Sequence, residues 1–352
     1  MQWHPAAEFP MIGNLRARIF QSLEPCAGLD RAGNRRHKTA MKTSFAILPL
    51  LLLGLTANAA SVFTTEQTTN EIRVLADGKL FCAYVFSGAP KPYVYPLTAP
   101  DGVTLNREYP MREVAGESHD HPHHRSLWYG HIKTSGSDFW SVSKDAGTTV
   151  TEGVPEAKVE DGAVVVKART KYVAKDGHIV ARDEREMKFG ALAGGERFID
   201  FSVTIRGEDN GALEFGDDKD GVMGLRLRDE FAFKNADTTA RNSEGDDKKT
   251  IWGKHARWVD YETKCSGGLH GAAFFDHPQN PKYPTRWHAR DYGLLSANPF
   301  GEHTFDPKSE KTGGYTIPAG QSATWRYRIV LYAGQKTTDE VEKMSAGFCP
   351  AK

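Results

Sequence analysis

Cysteine is scarce in this chain, with four residues in 352, and an excess of either charge is missing, with 45 basic against 45 acidic residues. Also missing are an internal repeat, a low-complexity linker, and any apolar run of the roughly 18 residues that a membrane-spanning helix needs. These absences exclude a disulfide-stapled miniprotein, an electrostatic nucleic-acid binder and a helical membrane protein. The longest apolar stretch, Phe45 to Leu55, is too short to span a bilayer and sits where an export signal would place it.

Met41-Lys42-Thr43-Ser44, the apolar run, and Thr56-Ala57-Asn58-Ala59 form the three parts of a secretory signal with cleavage after Ala59. Residues 1–40 are Arg-rich and irregular, and a signal works poorly behind such a leader, so translation is expected to start at Met41 and 1–40 to be a start-site misassignment without structure. The mature part, 60–352, is then a periplasmic or secreted single domain. It holds 38 basic and 42 acidic residues and three cysteines, Cys82, Cys265 and Cys349. An odd number permits one bridge, with Cys82–Cys265 the pair considered, or three buried free thiols.

Strand signals dominate. Glu71 to Leu75, an Asp77-Gly78 turn and Lys79 to Phe86 read as a hairpin, and Ala163 to Ala174 with Ile179 to Phe189 across Asp176-Gly177 as a clearer one. In Arg197 to Arg206 the set Asp200, Ser202, Thr204 and Arg206 alternates with Ile199, Phe201, Val203 and Ile205, so the polar set should face water or a cleft. Trp325, Tyr327, Ile329 and Leu331 mark a half-buried strand near the end. Only Thr337 to Ala346 reads as a helix, opened by the capping box Thr337-Thr338-Asp339-Glu340. The pattern predicts an all-β, large antiparallel sandwich with one short C-terminal helix. Pro90 to Ser141 and Gly207 to Asn298 read as long loops gathered at one end of the sheets.

The chemistry concentrates in three segments. His119-Asp120-His121-Pro122-His123-His124-Arg125, followed by Trp128, His131, Asp138 and Trp140, places five histidines within 13 positions. Proline favours an extended residue before it, so His119, His121 and His123 should share one face, and Asp120 and His124 the other. Such a strip can offer imidazoles to a divalent metal, with His121, His123 and His124 as the ligand set, or an acid/base histidine oriented by Asp120. A purely structural hydrogen-bond network fastening the loop is the plainer alternative, and no spacing here matches a defined zinc motif.

The second segment, Glu214 to Gly221, packs acids around Lys219, a cation able to hold a hydroxyl or a developing oxyanion; as a calcium loop it lacks the alternating ligands. The third contains Asp276-His277-Pro278, which repeats Asp120-His121-Pro122 and suggests two loops that meet. It continues through Trp287, His288, Ala289, Arg290 and Asp291 to Asn298, with His288 and Arg290 on one side of the chain. Imidazole, guanidinium, amide and aromatic faces are the usual equipment of a sugar site.

Together, Asp120-His121-Pro122-His123-His124-Arg125-Ser126-Leu127-Trp128, Asp218-Lys219-Asp220-Gly221, Asp276-His277-Pro278 and Arg290-Asp291-Tyr292-Gly293 through Asn298-Pro299-Phe300-Gly301 resemble the PmoA-like family of unknown function, often labelled methane oxygenase. The resemblance spans nearly all of the mature part. It implies a sugar-mutarotase-like β-supersandwich and a place beside bacterial carbohydrate catabolism.

The expected function is an enzyme, an isomerase, lyase or hydrolase, acting on a carbohydrate or oxidised sugar derivative. His121, His124, Asp120, His288 and Lys219 would carry the chemistry, while Arg125, Trp128, His131, Trp140, Asp276, His277, Arg290 and Asn298 bind substrate. A non-catalytic sugar-binding protein and a metal-dependent redox protein are the alternatives. The expected partner is a small molecule or oligosaccharide, with no nucleic acid and no membrane span.

Overall fold

Runs of alternating apolar and polar side chains resolve, in the computed structural model, into two large sheets whose strand pairings are all antiparallel. The structure describes residues 61–349 apart from 249; the expected leader at 1–40 and signal at 41–59 lie outside the described residues. The first sheet runs, in spatial order, Phe63–Gln67, Glu71–Ala76, Lys79–Val85, Tyr93–Val94, Leu127–His131, Gly221–Arg226, Leu294–Asn298 and Arg286–Ala289. The second runs Thr239–Asn242, Trp258–Cys265, Gly268–Asp276, Ser322–Ala333, Arg197–Gly207, Ile179–Ala191, Ala163–Val173 and Thr148–Glu160.

The sheets pack face to face because each presents its apolar set inward. Ile199, Phe201, Val203 and Ile205 from the second meet Val74, Phe81, Leu127 and Leu225 from the first, and Phe81 touches Phe189 edge to face with ring centroids 6.4 Å apart. One charged pair lies inside that core. Arg185 is 3.0 Å from Asp183, and the hydroxyls of Thr170 and Tyr172 each donate to the same carboxylate at 2.6 Å, so the buried charge is fully partnered.

Both expected hairpins are present, as are the strand over 197–207 and the capping box, whose helix spans Thr338–Lys343. Two expectations change, and the open question of the cysteines resolves to free thiols. The stretch from Gly207 to Asn298, which reads as loops in sequence, contributes seven strands among the described residues. Two of them, Gly221–Arg226 and Leu294–Asn298, are buried at every position, so they lack the alternation that betrays a half-exposed strand. Cys82, Cys265 and Cys349 are all free thiols. A second short helix, Glu302–Phe305, also forms.

Apart from the strands Tyr93–Val94 and Leu127–His131, which join the first sheet, the stretch from Pro90 to Ser141 is irregular chain and covers the outer face of that sheet. Tyr93, Trp128, Trp140 and Leu294 form an apolar patch beneath it. Lys91 fastens this covering: its ammonium is buried and donates to the carbonyls of Phe139, Trp140 and Ser141. Burial lowers Lys91 to about 7, and the charge of Asp138 opposes the shift.

Candidate functional site

Outward-facing positions of four neighbouring first-sheet strands line up in register as Trp128, Gly224, Ser296 and His288. Gly224 is needed because a Cβ there would come within 2.5 Å of the Trp128 indole, which lies across it. This row is the floor of the site. Its walls are the His-rich segment, the Asp218–Gly221 turn and Tyr292.

The His-rich segment is not extended. His121 has φ 47°, Ser126 has φ 56°, and the N–H of His124 donates to the His121 carbonyl at 3.0 Å, closing a turn with Pro122 second. Turn closure overrides the strand-like reading and pairs different rings: His121 stacks on His124 at 4.7 Å and 3°, while His123 meets both edge on. His124 continues onto Trp128 at 5.1 Å, and His121 onto Tyr292 at 5.1 Å. Left-handed backbone at a non-glycine residue costs about 1–3 kcal/mol and collects at functional sites.

Asp120 is the electrostatic hub. Arg107, fully buried, donates to one carboxylate oxygen; Arg226, also buried, reaches the same oxygen at 2.8 Å; and His121 Nδ1 donates to the other. Partial burial pushes the Asp120 carboxyl up, but the charge of Arg226, the His121 hydrogen bond and the charge of Arg107 outweigh it and hold the group at about 2. An ionised carboxylate only accepts, so His121 carries its proton on Nδ1 and leaves Nε2 as a base on an exposed ring. Arg226 also lies 4.6 Å from the Tyr292 ring centroid, and its Nη1 is 3.4 Å from His124 Nδ1.

Three buried or half-buried imidazoles are pushed down. Burial first, then the charge of Lys91 and the neighbouring His121, lowers His123 to about 4. Burial, the neighbouring imidazoles and the two arginines put His124 far below the ordinary histidine range. His288 in the floor is lowered to about 3 by burial and by the charges of Lys219 and Arg290. It is 2% exposed and its ring nitrogens bond no other side chain; the Lys219 backbone lies beside the ring and Asp220 is 3.7 Å from Nδ1. A buried imidazole with such loose partners is costly, which makes His288 a candidate to bind a ligand. Lys219 pairs with Asp220 at 2.8 Å beside it.

The structure therefore gathers Asp120, His121, His123, His124, Trp128, Trp140, Lys219, His288 and Arg290 around one face. It places the others elsewhere or at the edge of that face. His131 points under the floor, with Nε2 2.7 Å from the Gly216 carbonyl, and burial lowers it to about 4. Asn298 braces the 218 turn, donating to the Asp218 carbonyl at 2.9 Å and accepting from the N–H groups of Phe300 and Gly301. Arg125 stays on the outer face at its edge, 5.7 Å from the ring of Tyr93, the register partner of Trp128. His119 stacks on Tyr109 at the rim.

Asp276 and His277 do not join the site. Asp276 ends a second-sheet strand and accepts from Asn280 and from the Thr285 N–H at 2.7 Å each, and burial raises it to about 7. The two Asp-His-Pro triplets thus belong to different sheets. Among the described residues, no three His, Cys, Asp or Glu side chains converge as a metal-holding set; His121 and His124 lie face to face, so their in-plane lone pairs do not meet. Sequence reasoning misses Arg107, Arg226 and Tyr292. Of these, Arg226 alone leaves a signal, as a single charge in the otherwise apolar strand Gly221–Arg226.

Residues 71–346 match the family of unknown function DUF6807, and the chain belongs to that family. No curated protein matches. Among solved structures, the chain is similar to a GalM/aldose epimerase homologue from C. elegans, at 8% identity over 79% of this chain and 100% of that one, with a TM-score of 0.33. It is similar also to a galactose mutarotase related enzyme from Lactobacillus acidophilus, at 8% identity over 79% and 99% of the two chains, with a TM-score of 0.23. At these scores neither carries an argument about activity.

Proposed function

We propose that this member of the DUF6807 family is an exported enzyme that performs acid–base chemistry on a carbohydrate or oxidised sugar derivative at the outer face of the first sheet. The observation that carries the proposal is the Asp120–His121 dyad. A carboxylate fixed by two buried guanidiniums fixes in turn the tautomer of an exposed imidazole and leaves its second nitrogen available. That arrangement costs buried charge and backbone strain, which simple loop fastening does not require.

Aromatic surfaces suit a sugar ligand. Tyr292, half-buried and stacked on His121, offers a ring of the kind that covers the apolar face of a pyranose while polar neighbours read its hydroxyls, and Trp140 is buried beside the imidazoles. In this reading His121 removes or returns a proton, Asp120 stabilises the imidazolium that forms, and the neutral His288 donates or accepts a hydrogen bond from below. Among the described residues no helix is long and apolar enough to cross a membrane. Export itself rests on the signal-like segment ending at Ala59.

The test is proton NMR in D2O of the purified mature chain with neutral aldoses, uronic acids and keto-sugars. Loss of a C–H signal or a new product with wild type, and neither with His121→Ala, is the expected result. Ligand binding without turnover in either protein would make this a sugar-binding protein, and equal turnover in both would remove His121 from the chemistry.

A further inference from the structure

The cations around the site are unequally committed. Arg107 and Arg226 are both engaged by Asp120, and Lys219 by Asp220. Arg290 is different: its only carboxylate neighbour among the described residues is Asp291, at 4.0 Å and 72% exposed, and its side chain makes no hydrogen bond among them. The guanidinium sits 5.4 Å from the Tyr292 ring, the same ring that stacks on His121. Near both cations lies His288, 2% exposed, whose ring nitrogens bond no other side chain and have Asp220 Oδ1 no nearer than 3.7 Å, with the charges of Lys219 and Arg290 acting on it together.

An open guanidinium and an ammonium whose charges both act on one buried imidazole, which has a hydrogen bond to give, form a receptor for an oxyanion. A guanidinium offers two parallel donors that match a carboxylate or sulfate edge, and the Lys219 ammonium has donors beyond the one that Asp220 takes. The same cations repel a metal ion. A neutral hydroxyl would leave the Arg290 charge without a counter-ion in a partly desolvated place.

We infer that the ligand of this site bears a singly charged oxyanion, as a uronic acid or a sulfated sugar does, seated between Arg290 and Lys219 above His288. The inference rests on the acid–base reading for where the ligand lies and adds the ligand's charge. The oxyanion fixes the sugar by one end, and the opposite end of the ring stacks toward His121 and Tyr292.

Isothermal titration calorimetry of the mature chain with D-glucuronate, glucose 6-sulfate and D-glucose tests it. The expected result is binding of one or both anions at least about tenfold tighter than glucose, falling with salt because the contact is ionic. Arg290→Gln and Lys219→Gln should each erase most of that preference, and Arg290→Lys should keep part of it; circular dichroism checks that each variant folds. Tighter binding of glucuronate alone assigns a carboxylate, and of the sulfate alone a sulfate ester. Equal binding of all three sugars by wild type, or an anion preference untouched by both glutamine variants, would overturn the inference. His121→Ala separates the two claims: kept anion preference with full turnover sinks the acid–base reading and spares this one.

Discussion

The outer faces of the two sheets both carry many polar side chains, and they use them in opposite ways. Over the second sheet lies a cleft of about 690 Å³ lined by Lys167, Glu186, Ser202, Thr204 and Arg326, among others. Its side chains stand in cross-strand rows of alternating sign: Glu156, Lys167, Glu186, Ser202 and Arg326 in one, Glu152, Arg169, Glu184 and Thr204 in the next. Lys167, Arg169 and the four glutamates each have an opposite charge across the strand, and Arg326 faces Ser202, which is how a solvated sheet face is stabilised. On the first sheet the charges converge on a single carboxylate, the rings stack on one another, and a buried imidazole bonds no other side chain. In the function proposed above, concentrated charge and clustered imidazoles, and not cleft volume, mark the face that works.

The contrast is broken most directly by exchanging its two ends. His121→Ala should lower kcat by roughly 10²–10⁴, the usual contribution of one acid–base group, whereas Glu184→Gln in the cleft should leave kcat unchanged. A turnover assay on whichever sugar is processed decides it: loss with the cleft variant and not with His121→Ala would move the active face to the second sheet.

A glycine sharpens the same contrast through packing. Gly224→Ala adds a methyl within 2.5 Å of the Trp128 indole, which rests on buried neighbours and has little room to retreat. Overpacking of this kind costs about 1–3 kcal/mol, and it should shift the tryptophan near-ultraviolet signal and weaken ligand binding together. Urea unfolding and titration of the same sample check both. An unchanged midpoint with normal binding would mean that the floor is soft, contrary to the fixed geometry assigned to it.

Acid sensitivity belongs to the first face. Asp120 is held at about 2, below the ~3.9 of an unfolded aspartate. A depressed carboxyl stabilises the fold above the unfolded value, and that stability is lost as pH falls from about 4 through 2. Because the side chain is 37% exposed, solvent screening reduces the contribution to about 1–2 kcal/mol. Asp120→Asn should remove that amount at pH 7 and flatten the dependence of urea midpoint on pH between 4 and 2. A variant as stable as wild type at pH 7 would show that Arg107 and Arg226 do not need this carboxylate.

Much of this contrast is legible in the amino-acid sequence, and the part that is not has a physical cause. Alternation exposes the second sheet's outer face directly: it turns Asp200, Ser202 and Thr204 toward water or a cleft, and Ser202 and Thr204 line one. The His-rich segment, Lys219, His288 and Arg290 stand out as clustered chemistry and share a face. Arg107 stays hidden although it lies 13 positions from Asp120, and Arg226, 106 positions away, shows only as the one charge of an apolar strand, because charge pairing leaves no periodic trace. The extended reading of His121 fails because a local turn hydrogen bond competes with strand geometry, and proline permits either. The repeated Asp-His-Pro triplet misleads because a triplet carries no information about which sheet its strand joins.

The smallest effect is expected where charges alternate. Lys167 and Glu186 form an ion pair at 3.1 Å, with side chains 52% and 57% exposed. Lys167→Gln, Glu186→Gln and the double variant should unfold at the same temperature as wild type within error at physiological salt, since water and counter-ions replace what the pair loses. Differential scanning calorimetry at low and high salt measures it. A clear loss in the single variants that the double variant restores would show that the cross-strand rows act as a coupled network and hold that sheet face in shape, which would make the cleft a built feature instead of a solvated surface.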